Sequence, residues 1–162
     1  MYLNNVKILP FKAQIDSVSE TLNKLDDIKK DGEIIQLLNA DAIVCENQII
    51  HGVNQAFLAF GRGENLAKDI SVEIVLRCSA QRQISKAFEI LGLKEGLMNV
   101  YAVLIDCDDY TDELSSIFSP SSNFVSDDNY LLEIYNISDD EILNMVLEDI
   151  IIDRITKLIV DY

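Results

Sequence analysis

Basic side chains are scarce in this chain: 13 Lys and Arg stand against 28 Asp and Glu, a formal net charge of -15. So acidic a body repels polyanions at long range, which argues against nonspecific binding to nucleic acid or anionic lipid. Tryptophan is absent, and only two prolines and six glycines interrupt 162 residues. No apolar run approaches the roughly 20 residues that span a bilayer. Met1 to Pro10 carries one Lys and no apolar core of a signal peptide, so a cytoplasmic chain is expected. Cys45, Cys78 and Cys107 are odd in number, far apart and set in apolar sequence, which points to reduced thiols rather than bridges or a zinc site. Neither a bound metal nor a cofactor is expected.

Catalytic signals are equally thin. His51 is the sole histidine, and no Ser or Cys nucleophile on a glycine elbow accompanies it. Gly61-Arg62-Gly63 lacks the Gly-Lys-Ser/Thr of a phosphate loop and reads as a helix stop. Asp106-Cys107-Asp108 follows an apolar run, as does the nucleophile motif of haloacid-dehalogenase-type phosphatases. It falls short of that motif, because Tyr110 stands where Thr or Val is needed and only two basic residues follow. An EF-hand loop fails too, with Thr111 at its glycine position. A small acidic metal-dependent phosphatase or hydrolase using Asp106, Asp108 and Asp109 is the competing functional reading.

What is present is a single domain's length, residues 1–162, with 49% apolar residues and alternating helical and strand-like patterns. Val6 to Phe11 predicts a short edge strand containing Pro10. Ser17 and Glu20 predict a capping box opening a helix through Val18, Leu22, Leu25 and Ile28. Ile34, Ile35, Leu37 and Leu38 keep helical spacing, and Ala42 to Cys45 reads as a buried strand. Asn47 to Phe60 predicts a helix. Strict alternation of Ile70, Val72, Ile74, Leu76 and Cys78 favours a strand, although Val72, Val75, Leu76 and Ser79 also fit a helix. Ser79 is then expected to cap a helix through Ile84, Ala87, Phe88 and Leu91, and Asn99 to Cys107 is expected to form a strand. Ser115 to Asn123 reads as a loop. Ser138 and Glu141 predict a second capping box, opening a long helix to the C-terminus. Leu143, Leu147 and Ile150 are expected on its core side, with Ile151, Ile155, Leu158 and Tyr162 forming a second, unpartnered apolar stripe. The fold class expected is mixed α/β: a small mixed or antiparallel sheet packed with helices and closed by that long C-terminal helix.

Within this acidic chain, residues 61–94 hold six basic residues against four acidic ones: Arg62, Lys68, Arg77, Arg82, Lys86 and Lys94. From Asp106 to Tyr162 fifteen acids face only Arg154 and Lys157. A turn at Ser79 to Gln81 between a strand and a helix brings Arg77 and Arg82 beside a helix N-terminus, whose free N–H groups favour an anion. With Lys68 added, such a group is expected to hold a phosphate or two; the alternative reading is ordinary solvated residues softening an acidic surface.

The same interval carries a resemblance. Ile43-Val44, Asn47-Gln48-Ile49, Ala56, Lys68, Ser71-Val72-Glu73-Ile74, the run Ser79 to Ala87 and Leu91-Gly92-Leu93 resemble the small kinase-binding subunit of the KEOPS complex, which makes threonylcarbamoyladenosine in tRNA. The match runs from about Asn39 to Asp106 and resumes more weakly over Glu148 to Lys157. The resemblance implies a noncatalytic protein that binds and stimulates the atypical kinase/ATPase subunit. It further implies recruitment of tRNA by its single-stranded CCA tail, with the other subunits as indirect partners. Motif positions fall on Lys68, Glu73, Ser79, Arg82 and Gln83, whereas Arg62 and Arg77 join the tail site from charge and spacing. Ile151, Ile155 and Leu158 suit a kinase-facing surface.

Overall fold

The structure, a computed structural model, describes residues 5–158, so Tyr162 lies outside it. The chain forms two compact units, each built from two stretches of sequence.

In the unit of residues 5–40 and 92–124, β1 (Val6–Ile15), β2 (Ile34–Asn39), β3 (Gly96–Ile105) and the two-residue β4 (Ser119–Pro120) form an antiparallel sheet ordered β2-β3-β1-β4. Helices α1 (Val18–Ile28) and α5 (Thr111–Ile117) complete it. β1 is longer than the expected strand and pairs along its whole length with β3, from Val6 opposite Ile105 to Ile15 opposite Gly96. Among the described residues its other side pairs with β4 alone, at Phe11 and Lys12. The Pro10 carbonyl accepts the Ser121 N–H on that side, so the missing proline N–H faces the nearly free edge and interrupts no bond to β3. Ser17 caps α1 as expected, its side chain accepting the Glu20 N–H. The helix buries Thr21 and Leu25, whereas Leu22 is exposed.

The stretch Ile34 to Leu38 is a strand rather than the expected helix. Ile35 and Leu37 join one apolar cluster with Phe11, Ala13, Ile15, Val100, Ala102 and Leu104, and Leu38, Tyr101 and Val103 on the opposite face are buried too. A strand apolar on both faces loses its alternation, and Ile-Ile-x-Leu-Leu then imitates helical spacing.

The unit of residues 41–91 and 125–158 is helical: α2 (Glu46–Arg62), α3 (Ile70–Cys78), α4 (Ile84–Leu91), α6 (Asp128–Ile134), α7 (Asp139–Asn144) and α8 (Leu147–Lys157). Ala42 to Cys45 forms no strand. It is the end of a 3-10 turn and the lead-in to α2, held by the Val44 N–H donating to Gln48 Oε1 at 2.8 Å. Gln48 is fully buried and donates to the Cys78 carbonyl and the Tyr135 hydroxyl, while that hydroxyl donates to the Ala42 carbonyl. One side-chain amide thus ties the 42–44 turn, α2, α3 and α6 together. α2 ends at Gly63, which takes the left-handed conformation (φ 72°) that favours glycine.

Residues Ile70 to Cys78 are a helix, not a strand. Every residue from Glu73 to Cys78 is buried, so α3 shows no polar stripe, and its alternating apolar residues mask the helical spacing that Val72, Val75, Leu76 and Ser79 also keep. Asp69 is its N-cap, with Oδ1 accepting the Ser71 N–H. α3 crosses α2 so closely that a Cβ on Gly52 would sit 2.5 Å from the Cys78 sulfur. No helix among the described residues is long and apolar enough to cross a membrane.

Candidate functional site

Helix α3 and the segments at its two ends carry the basic group read from the sequence. At the N-terminal end, residues 63–69 leave α2 without regular structure. The Ala67 N–H donates to Glu73 Oε1 at 2.7 Å, and Glu73 Oε2 accepts from Arg77 Nε at 2.7 Å. Both charged side chains are fully buried. Arg77 Nη2 points back to the Glu64 carbonyl at 3.4 Å, while Nη1 is buried with no hydrogen-bond partner. The Arg77 guanidinium is therefore committed inward. It is removed from the set of phosphate contacts, because a buried ion already bound to a carboxylate offers no surface to a ligand.

At the C-terminal end, Ser79 also departs from expectation. It is the C-cap of α3, fully buried, with Oγ donating to the Val75 and Leu76 carbonyls. The Gln81 N–H returns to the Leu76 carbonyl and the Ala80 N–H to that of Arg77, which closes the helix in a Schellman turn. Ala80 occupies the left-handed position (φ 55°) usually given to glycine. Ser79 therefore neither caps α4 nor faces solvent. The tight turn projects Arg82 and Gln83 into solvent just before α4.

Of the six residues assigned to the tail site, four remain accessible: Arg62, Lys68, Arg82 and Gln83. Arg62 pairs with Glu64 at 2.9 Å, and Arg82 Nη2 makes a long 3.4 Å contact with the Leu158 carbonyl. Lys68 is exposed and has no partner among the described residues. Lys68 precedes α3 and Arg82 follows it, so nine helical residues separate them by about 13 Å along the axis. They do not close on one phosphate. Their spacing suits separate contacts along an extended ligand. Beyond Arg82, Ile84 and Phe88 lie one turn apart on α4 and are exposed, which places apolar surface beside the cation. Lys94 belongs to the other unit.

The carboxylates of the hydrolase reading are occupied by the chain itself. Asp106 Oδ1 accepts the Asn5 N–H at 2.7 Å, Asp108 pairs with Lys30, and Asp109 pairs with Lys7 at 3.3 Å. The Thr111 hydroxyl and N–H, then Lys7, hold the Asp109 carboxyl down at about 2. Glu33 accepts from the Tyr110 hydroxyl, the Lys30 N–H and the Asp108 N–H, which depresses its pKa and raises that of Tyr110 to about 12. No group of three or more His, Cys, Asp or Glu among the described residues is placed to hold a metal ion. These aspartates are turn caps and ion-pair partners. His51 is half-buried on α2, bonded to Thr156 at 2.8 Å, and burial lowers its pKa.

The expected apolar stripe of the C-terminal helix is buried as well. The sequence from Asp139 forms two helices, broken where Met145 and Val146 are extended (ψ 147° and 151°). α8 lies against α2, with Asn47 donating to Glu148; Ile151 and Ile155 are fully buried and Leu158 nearly so. These three are core residues and present no docking face. Apolar side chains are instead exposed at the α7–α8 corner: Leu143 (81%), Val146 (63%) and Met145 (42%). The capping box at Ser138 and Glu141 is formed, and Glu141 also accepts from Arg154. Arg154 further donates to the Tyr135 and Asn136 carbonyls, pinning the corner to the end of α6. An open cleft of about 580 Å³ runs beside it, lined by Glu141, Met145, Ile150, Arg154 and Lys157 among others. Leu143, Leu147 and Ile150 keep helical spacing across the break, so the apolar pattern does not mark this corner, and Leu143, expected on the core side, is exposed while Leu147 and Ile150 are buried.

Comparison with known proteins adds a family match. The profile described as kinase binding protein CGI-121 matches residues 13–157. The regulatory protein Cgi121 of Methanocaldococcus jannaschii is 39% identical over 61 residues, 38% of this chain and 39% of that protein. The KEOPS complex subunit Cgi121 of Pyrococcus abyssi is 30% identical over 107 residues, 65% of this chain and 60% of that protein. The alignments thus span less than two thirds of either relative.

Proposed function

The chain belongs to the CGI-121 family of kinase-binding proteins, and on that premise we propose that it is a noncatalytic regulatory subunit of a KEOPS-type complex. It binds and stimulates the complex's kinase/ATPase subunit and recruits tRNA by the single-stranded CCA tail. The observation that carries this reading is the family match itself, which spans α2, α3, α4 and α8. The accessible cations fit it. Lys68 and Arg82 stand at opposite ends of α3 on a strongly acidic chain, with Gln83 as a hydrogen-bonding group and Ile84 and Phe88 as apolar surface for unstacked bases. The acidic surroundings repel a duplex and confine contact to a short tail.

The kinase surface is assigned to the α7–α8 corner, where Leu143, Met145 and Val146 are exposed among acids that include Asp139, Asp140 and Glu148. An apolar ridge bordered by carboxylates suits a partner face that is apolar with a basic rim. The two surfaces separate by mutation. Arg82→Glu and trimming of the CCA end each weaken tRNA binding in a filter or polarisation assay and leave kinase capture intact. Leu143→Asp with Val146→Asp abolishes kinase capture and leaves tRNA affinity unchanged. Retention of tRNA affinity after both Arg82→Glu and tail removal overturns the tail assignment, and kinase capture by the double aspartate variant overturns the corner.

A further inference from the structure

We infer that the buried Glu73–Arg77 pair is a positioning device for Lys68, fixing the 63–69 segment so that the lysine is held in place for its ligand. The inference rests on the tail reading above. Its physical core is the pattern of bonds the pair makes. A buried ion pair contributes little net stability, because desolvating both charges offsets their attraction, and apolar residues of similar volume commonly do as well or better. This pair is not arranged for maximal stability either, since Arg77 Nη1 is buried with no hydrogen-bond partner.

The remaining atoms all reach one segment. Glu73 Oε1 accepts the Ala67 N–H at 2.7 Å and Arg77 Nη2 donates to the Glu64 carbonyl, so the two ends of a four-residue span are fastened to α3. The span is also held at its Glu64 end by α2, whose Ala59 carbonyl accepts the Glu64 N–H at 2.8 Å and whose Arg62 pairs with the Glu64 carboxylate, so what the buried pair adds is chiefly the hold on Ala67. The span forms no helix or strand, Ala67 is its one buried apolar side chain, and Asn65 bonds only to the Ala67 carbonyl within it. Lys68 follows Ala67 directly, and Asp69 caps α3 immediately after it. The lysine backbone is thus held on one side by the carboxylate and on the other by the helix cap.

The decisive variant is Glu73→Leu with Arg77→Met, which replaces the pair by apolar volume and leaves no orphaned charge. It is expected to unfold in urea at or above the wild-type midpoint. Its Ala67 amide is expected to exchange with solvent about tenfold faster or more in the absence of RNA. Its tRNA affinity falls to that of Lys68→Met, adding Lys68→Met to it lowers affinity no further, and the salt slope of binding drops by roughly 0.7, the value of one phosphate contact on a single strand. A purely structural role leaves the tRNA affinity and the salt slope unmoved when stability is kept, even though the Ala67 N–H loses its acceptor. Unchanged Ala67 exchange in the double variant overturns the positioning inference, whatever tRNA does. Faster exchange with unchanged tRNA affinity in both the double variant and Lys68→Met overturns the tail reading instead. If the double variant does not fold, Glu73→Gln takes its place: the neutral amide keeps the shape, weakens the bond to Ala67 and gives a smaller acceleration of exchange, and the absence of any acceleration overturns the inference.

Discussion

In residues 5–40 and 92–124 the interior is a sheet face and two helices meeting through apolar side chains, with ion pairs such as Lys7–Asp109 and Lys30–Asp108 outside it, whereas in residues 41–91 and 125–158 the interior itself contains Gln48, Glu73, Arg77 and Ser79. All four of these polar side chains are fully excluded from solvent. The first unit draws its stability from buried area, which is forgiving of which charge sits at its surface. The second depends on each buried donor meeting its acceptor, so losing one partner costs more than the pair contributed. The unit with the polar interior is also the one that carries both proposed binding surfaces.

Removing the Arg77 cation tests this contrast most severely. Arg77→Met leaves the Glu73 carboxylate buried and unpaired, at an expected cost of about 3–5 kcal/mol in urea unfolding. A loss within about 0.5 kcal/mol, the range of ordinary surface changes, would mean that the pair is solvated. Next comes Gly52→Ala. The added methyl would lie 2.5 Å from the Cys78 sulfur and 2.7 Å from its Cα, so α2 and α3 must separate, costing about 1–3 kcal/mol. The same loss should appear as faster exchange of the α3 amides. In the opposite direction, Ala80→Gly relieves a left-handed residue (φ 55°) and is expected to stabilise by roughly 1 kcal/mol, read as a higher denaturation midpoint.

The smallest effects belong to the outer ion pairs of the sheet unit. Lys30→Ala should leave the urea midpoint nearly unchanged, since both partners are largely exposed. Their pH dependence has a definite sign. Asp109 titrates near 2 and Glu33 below its ordinary range, so the stability they contribute is complete above the usual carboxylate range and is lost as pH falls through it toward about 2. Thr111→Val removes the hydroxyl that contributes most to the Asp109 shift. An NMR titration of Asp109 in that variant should move upward, and an unmoved titration would mean that the hydroxyl bond does not form in solution.

The elements most legible in the sequence were those with one wet face or a local cap. α2 announced itself by period and by Gly63, α1 and α7 by Ser17 and Ser138, and β3 by its length of apolar residues. Elements surrounded by protein were misread in both directions: β2 took on a helical pattern and α3 a strand pattern, because burial on all sides erases the polar residues that mark a period. The candidate site suffered from the same cause. Arg77 was assigned to a surface from charge and spacing on a strand that is a helix, and Ser79 from the matched motif, but both are buried, whereas Lys68, Arg82 and Gln83 lie in loops and are exposed. Leu143 was misplaced because Met145 and Val146 divide what reads as one helix, and Ile151, Ile155 and Leu158 because α8 is buried along this stripe as well as at Leu147 and Ile150.

The pairing of β1 with β3 has a consequence for how the chain is made. Val6 waits for Ile105, 99 residues later, so at common translation rates the first strand leaves the ribosome roughly 5–20 s before its partner exists. During that interval an apolar segment is free to pair with any other edge. Lys7 and Lys12 place charge along it, and Pro10 removes one of its donors on the side that stays nearly open in the finished sheet. Residues that look like minor irregularities of a completed strand are thus the guards of an unfinished one.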